Sequence, residues 1–278
     1  MPEKLMSVKT YQMLTRANAC QYYAKDTVIP ENYLIISSGA FSGQNKIYTL
    51  RFPLRLLSIK SRAFYSCQYL NEVHLPHSVE ELGKEAFSEC YRLRRVYLSN
   101  NLAEISDSCF YHDTKLNRVL FTPSSQLISI GARAFCECSS LPFILLPPHL
   151  TSIGNQAFYR CKSLATVRFP KGLRYIGKEA FYFCGIDKLE LPETLEFLDE
   201  SAFFKCNNLT EVVLPPSVRH IGKWVFHGCN RLKVLEIRHD PDSIGPWIIN
   251  RSARIRCYRG SRMDAYCQKS GFTTEYID

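Results

Sequence analysis

The polar and apolar positions of this chain repeat a single short score. In Leu70-x-x-Val73-x-Leu75-Pro76 the apolar positions alternate, so Val73 and Leu75 point one way and His74 the other. That pattern predicts a strand. Pro76 has no amide to donate to a ladder and ends it. Val79-x-x-Leu82-Gly83 follows, then Ala86-Phe87-x-x-Cys90. The last motif returns in full at Ala63-Phe64/Cys67, Ala134-Phe135/Cys138, Ala157-Phe158/Cys161, Ala180-Phe181/Cys184 and Ala202-Phe203/Cys206, and in part around Phe41, Phe110 and Phe226. The nine phenylalanines are spaced by 23, 23, 23, 25, 23, 23, 22 and 23 residues. A period this regular is the signature of a repeat architecture.

Each unit therefore reads as a strand, a turn and a compact arc. Strands are expected at about Val28, Leu50, Val73, Val96, Val119, Ile144, Val167, Leu189, Val212, Leu235 and Ile255. Stacked in parallel at ~4.8 Å they make a sheet roughly 50 Å long. One unit has too little core to stand alone, and its neighbours supply the rest. Gly83, Gly131, Gly154, Gly177 and Gly222 recur at one position, which suggests a turn with positive φ. Ser106 and Asp199 replace the glycine in two units. The fold class expected is an α/β-type repeat solenoid: a curved parallel sheet on the concave face, short turns and arcs on the convex face, and about 10 repeats of 22–25 residues. We read residues 1–278 as one domain, with 1–26 an N-terminal cap, 27–257 the repeats and 258–278 a C-terminal cap. Short helices are expected over Thr10–Tyr23, with Tyr11, Leu14 and Tyr22 inward, and over Met263–Cys267.

The combination Leu-x-x-Val-x-Leu-Pro, then Val-x-x-Leu-Gly-x-x-Ala-Phe-x-x-Cys, resembles the BspA-type leucine-rich repeats over about residues 27–257. The closing segment Ile255–Ser261, with Tyr266 and Gly271-Phe272, is similar to the end of many such arrays. The resemblance implies a surface or secreted adhesion or interaction protein, and it carries no shared catalytic residues.

Composition changes this picture little. The chain is 46% hydrophobic and 22% charged, as folded proteins usually are, and its net charge of +9 does not by itself imply nucleic acid. No apolar run reaches the roughly 18 residues of a membrane helix, and Met1–Cys20 lacks the apolar stretch of a secretory leader. As written, the chain reads as cytoplasmic, in tension with the surface location that the resemblance implies.

Twelve cysteines would suggest disulfides in a small secreted domain. Here Cys67, Cys90, Cys138, Cys161, Cys184, Cys206 and Cys229 share one repeat position. Their side chains point the same way, which disfavours disulfide geometry and predicts a buried packing ladder. Asp113 is its one polar break. Phe64, Phe87, Phe110, Phe135, Phe158, Phe181, Phe203 and Phe226 form a parallel ladder. Cys136-Glu137-Cys138 has the look of a metal pair but lacks a second pair at zinc spacing, so we expect no metal. Cys257 and Cys267 pair only in an oxidising compartment. Asn208-Leu209-Thr210 and Asn250-Arg251-Ser252 fit the glycosylation sequon, which matters only after export. The seven histidines are scattered, no hydrolase, zinc-protease or phosphate-loop motif occurs, and we expect no catalytic residues and no cofactor.

The outward strand face carries the functional expectation, because solenoids bind along the concave surface. Its middle places Tyr97, Leu120, Phe143 and Leu145 side by side, with Arg95, Arg118 and Arg168 around them. An apolar centre with an arginine rim is the composition of a protein interface. The alternative is a tolerated apolar surface without a partner. At the C-terminal end Arg254 and Arg256 flank Ile255 and form a candidate anion site; the blander reading is a solvated cap. No nucleic-acid-binding motif accompanies these charges. The leading function is therefore a module that binds a protein ligand on the concave sheet. A structural or adhesive surface protein, as part of a longer chain, comes second and an enzyme last.

Overall fold

The computed structural model describes residues 12–277. Each repeat is one coil of a parallel solenoid with three hydrogen-bonded sides. The first side is the concave strand, seen at Asp26–Val28, Thr49–Arg51, Glu72–His74, Arg95–Tyr97, Arg118–Leu120, Phe143–Leu145, Thr166–Arg168, Glu211–Leu214, Val234–Ile237 and Arg254–Tyr258. The central residue of each three-residue strand is buried, and most flanking residues are exposed, as the alternation requires.

The second side was not anticipated. The segment read as a plain turn forms two ladders of two-residue parallel strands, one ending at Glu81–Leu82 and the next running from Glu104–Ile105 through Ser129–Ile130, Ser152–Ile153 and Tyr175–Ile176. The third side is the Ala-Phe arc. Its alternate amides donate along the solenoid axis to the following coil, as from Phe64 N to Ala86 O at 2.8 Å and from Phe158 N to Ala180 O at 2.8 Å.

The structure corrects the reading of the recurrent glycines. None of Gly83, Gly131, Gly154, Gly177 or Gly222 has a positive φ. They are glycines because the coils touch there: a Cβ on Gly222 would lie 2.5 Å from Glu200 N, and one on Gly83 2.5 Å from Ser61 N. Left-handed backbone falls instead on the residue before Ala-Phe, such as Glu85, Arg133 and Gln156, and on the residue before the cysteine, such as Glu89, Glu137 and Arg160. These two reversals per coil close the arc and aim its amides along the axis. Outside glycine such a conformation is uncommon and is sustained by surrounding structure.

All nine phenylalanines are fully buried. Adjacent rings are nearly parallel, with centroids from 5.0 Å (Phe41–Phe64) to 5.8 Å (Phe87–Phe110) apart. Since the coils rise by ~4.8 Å, the rings are offset, which their quadrupoles favour.

The ends are built differently from expectation. Leu14 is buried, but within a strand, Met13–Leu14, that pairs with Ile35–Ile36. The helix is short, Arg16–Ala19, started by Thr15, whose Oγ1 accepts from Asn18 N. Tyr22 packs against the core beside Tyr33, and Thr10 and Tyr11 lie outside the described residues. At the other end the helix runs Arg262–Ser270, capped by Ser261 and stopped by left-handed Gly271. Thr273–Ile277 then adds a parallel strand beside Arg254–Tyr258.

Two coils depart from the period. Between the strands Arg118–Leu120 and Ser129–Ile130, two extra residues swell the rim at Thr122–Gln126, and no ladder joins Arg118–Leu120 to Phe143–Leu145. In the 22-residue coil one residue fewer separates Cys184 from Leu189, and Leu189 is buried without forming the expected strand.

Phe158→Ala is expected to cost about 3–5 kcal/mol, the range for emptying a buried phenylalanine site. Urea unfolding of the two proteins measures it, and an unchanged midpoint would refute the stacked-ring core.

Candidate binding surface

The strand register sets the outward side chains in two columns. Across Glu72–His74, Arg95–Tyr97 and Arg118–Leu120 the pairs are Glu72↔Arg95↔Arg118 and His74↔Tyr97↔Leu120. Across the next two strands they are Phe143↔Thr166 and Leu145↔Arg168. The expected site residues are thus brought onto one face in two adjacent strips, with the ladder broken between Leu120 and Phe143.

They are not equally available. Phe143 is 48% exposed and Leu145 63%, far more than a core residue would be, whereas Tyr97 and Leu120 are half-buried. Tyr97 is covered by the imidazole of His74, stacked at 4.0 Å. Arg95 lies 3.9 Å from Glu72 and Arg168 3.5 Å from Glu190. Arg118 is exposed and has no ion pair among the described residues. Exposed pairs of this kind contribute little to stability, and they leave the arginines able to swing to a ligand.

Leu145 also forms part of a second feature that sequence reasoning missed. Where the strands end, Phe121, Pro123, Pro147, Pro148, Phe169 and Pro170 line a groove of about 510 Å³, with Arg168 and Lys171 at its edge. The swollen rim after Leu120 supplies Phe121 and Pro123. The 25-residue spacing and the Pro147-Pro148 doublet were the available signals.

The candidate anion site is internally neutralised. Arg254 lies 3.3 Å from Glu275, and Arg256 lies 2.9 Å from Glu236 and 2.7 Å from Glu275. Burial pushes the Glu236 carboxyl up, but hydrogen bonds from Arg256 and Arg238 outweigh it and hold it below the usual range. Both arginines serve to join the last strands.

The seven ladder cysteines are buried free thiols. Each donates from Sγ to the phenylalanine carbonyl of the preceding coil, as from Cys67 to Phe41 O at 3.1 Å, Cys90 to Phe64 O at 3.3 Å, Cys138 to Phe110 O at 3.2 Å and Cys161 to Phe135 O at 3.1 Å. Cys184, Cys206 and Cys229 repeat the contact with Phe158, Phe181 and Phe203. Burial pushes the thiols of Cys67 and Cys229 up to about 12 and the others upward too. Cys136, outside that repeat position, is a buried free thiol that burial pushes up to about 12, and no group of three metal-ligating side chains occurs among the described residues. Cys257 and Cys267 are buried free thiols beside one another.

Asp113 occupies the ladder position with a fully buried carboxyl. Its Oδ1 accepts from Cys90 N at 2.7 Å, whereas the corresponding amides of Cys67 and Cys138 go to their own Phe64 and Phe135 carbonyls at 3.2 Å. Its Oδ2 has no partner. Desolvation drives this carboxyl well above its ordinary range.

The sequence matches the model of the BspA type leucine rich repeat region in six copies over residues 17–141 and 128–256. The chain belongs to the BspA-type leucine-rich repeat family. Among solved structures it is similar to a leucine-rich repeat protein of T. pallidum, at 30% identity and a TM-score of 0.52, over 76% of this chain and 78% of that one. A leucine-rich repeat protein from Bacteroides ovatus aligns at 21% identity and a TM-score of 0.52, over 90% of this chain and 83% of that one. One from Eubacterium ventriosum gives 15% and 0.50, over 95% and 70%. These two likenesses are of fold alone. No curated protein matches the sequence. In this BspA-type chain no helix among the described residues is long and apolar enough to cross a membrane.

Two outcomes follow from the ladder. In native protein Cys161 and Cys184 should alkylate slowly and exposed Cys20 promptly. Because the folded state holds thiol protons that the unfolded chain releases near its ordinary cysteine range, stability should fall as pH rises from about 9 toward 12. Mass-resolved labelling and urea midpoints against pH check both, and prompt native labelling of Cys161 would refute its burial. Asp113→Cys should stabilise the protein by about 1–3 kcal/mol at neutral pH by removing an unpaired buried polar atom. The folded Asp113 holds its proton more tightly than the unfolded one, so its penalty grows as pH rises above about 4. The gain from Asp113→Cys should accordingly be smaller at pH 4 than at pH 7, and a variant less stable at both would show the carboxyl to be a stabilising partner.

Proposed function

We propose that the chain is a protein-binding module whose ligand lies on the concave sheet, centred on Phe143 and Leu145. One observation carries the reading: these two large apolar side chains stand exposed on one strand, and Leu145 continues into the proline-lined groove at the strand ends. Exposed apolar surface rimmed by charge is the composition of an interaction site. Leu120 and Tyr97 extend the apolar strip, and Arg95, Arg118 and Arg168 supply cations around it. The groove offers a pocket for one apolar anchor of the ligand, and the arginines set its orientation and its rate of encounter.

The test uses the full chain as bait, wild type beside Phe143→Ser/Leu145→Ser, in lysate and membrane extract of the source and of its host. Both side chains are exposed, so the variant should keep its circular dichroism and melting temperature. A partner held by wild type should bind the variant at least about ten-fold more weakly, as loss of an interface anchor demands. Equal capture of that partner by both baits would move the site off the concave centre.

A further inference from the structure

We propose that the coil edge bearing Lys25, Arg92, Arg94 and Lys115 is a binding site for a sulfated polysaccharide chain. This edge lies where each coil enters its concave strand, opposite the strand-end groove. It forms a recess of about 620 Å³ lined by these four cations with Tyr48 and Tyr69, and no Asp or Glu lines it. Other cations on the coil surface face carboxylates in neighbouring coils, as Arg62 does Glu85 and Arg174 does Glu196. None of the four makes an ion pair among the described residues. Asp26, adjacent to Lys25 in the chain, has one oxygen taken by Thr49 Oγ1 at 2.7 Å.

The repeat arranges these charges in line. Lys25, Tyr48, Asn71 and Arg94 hold one position in successive coils, joined by Tyr48 N to Lys25 O at 2.9 Å, Asn71 N to Tyr48 O at 3.1 Å and Arg94 N to Asn71 O at 2.9 Å. Tyr69, Arg92 and Lys115 hold a second position alongside. Cations thus recur along the axis at small multiples of ~4.8 Å, the layout that suits an extended polymer carrying an anion on every unit. The tyrosines prop the cations up. Lys25 Nζ sits 5.8 Å from the Tyr48 centroid, Tyr48 and Tyr69 are 5.2 Å apart, and Arg92 Cζ sits 4.5 Å from the Tyr69 centroid.

The same stack discriminates among polyanions. Coils stack in chain order, so each tyrosine has a cation on one side and the other tyrosine on the other. The Tyr48 and Tyr69 rings are tilted 37° to one another with a cation beside each, so the recess does not present the open, flat ring on which single-strand binding stacks a nucleobase. Besides its cations and two tyrosines the recess is lined only by Thr49 and Asn71, so an acidic peptide would find no aliphatic contact in it. What remains is recognition of oxyanions by arginine forks and lysine ammoniums, with the Asn71 amide and tyrosine hydroxyls available to sugar hydroxyls.

The experiment titrates the full chain with a size-defined heparin oligosaccharide by calorimetry at several salt concentrations. Four engaged cations predict a log–log salt slope of about −3. Arg92→Glu/Arg94→Glu should weaken binding at least about ten-fold and flatten the slope. The control is Arg231→Glu/Lys233→Glu, which makes the same charge change at the same two positions of a later coil; it should keep most of the affinity. Phe143→Ser/Leu145→Ser should bind heparin as wild type does. Equal losses in the two charge variants would show diffuse attraction to a basic protein and overturn the site. Poly-glutamate or oligothymidylate binding as tightly as heparin would overturn the glycan assignment in favour of an acidic protein or a nucleic acid.

Discussion

The backbone of every coil is hydrogen-bonded chiefly to its neighbours. Many amides of the concave strand and the two-residue strand, and every second amide of the Ala-Phe arc, point along the axis and find a carbonyl one coil away. Buried backbone groups must be paired, so each coil has to sit at one height and one rotation relative to the next. The remaining features follow from that constraint. Glycine avoids a clash where the coils meet closely at Gly83 and Gly222. Left-handed backbone is required at residues such as Glu85 and Glu89 to turn the arc amides axially. With the coils in register, identical side chains fall on top of one another, which puts the phenylalanines in a stack and the thiols against the carbonyls of the preceding coil.

Strict repetition would give a featureless surface, and the distinctive surfaces lie where it is broken or decorated. The two inserted residues after Leu120 swell the rim and furnish the apolar wall beside Leu145. The coil-entry edge keeps perfect register and varies only its side chains, so four cations and two tyrosines come into line there. Asp113 is a third departure, inside the core. It takes over an amide that its neighbours leave to a phenylalanine carbonyl, and it leaves one oxygen unpaired.

The sequence disclosed whatever depends on period. Phe and Cys recur at fixed spacing and share one environment, so their burial was legible, as was the inward Val73 or Ile144 of each strand. Features that depend on contact between coils were not. A glycine required by close approach looks the same in sequence as one required by positive φ, and Gly83 was assigned the wrong cause. Two-residue strands such as Ser152–Ile153 are too short to show alternation. The pairing of Arg254 and Arg256 with Glu275 was hidden because Glu275 lies in a strand that pattern alone did not suggest. At the concave face the columns Phe143 and Leu145 followed from alternation, while the groove beside them needed the rim loop in three dimensions.

The bonding of each coil to its neighbours also governs how the molecule meets force. A terminal coil is held by a neighbour on one side only, so under tension on the two ends it can peel away with little disturbance to coils beyond that neighbour. A coil of about 23 residues releases roughly 80 Å of chain when it does. Loss of coils one at a time from an end is therefore a stepwise lengthening, each step leaving a shorter but still ordered stack.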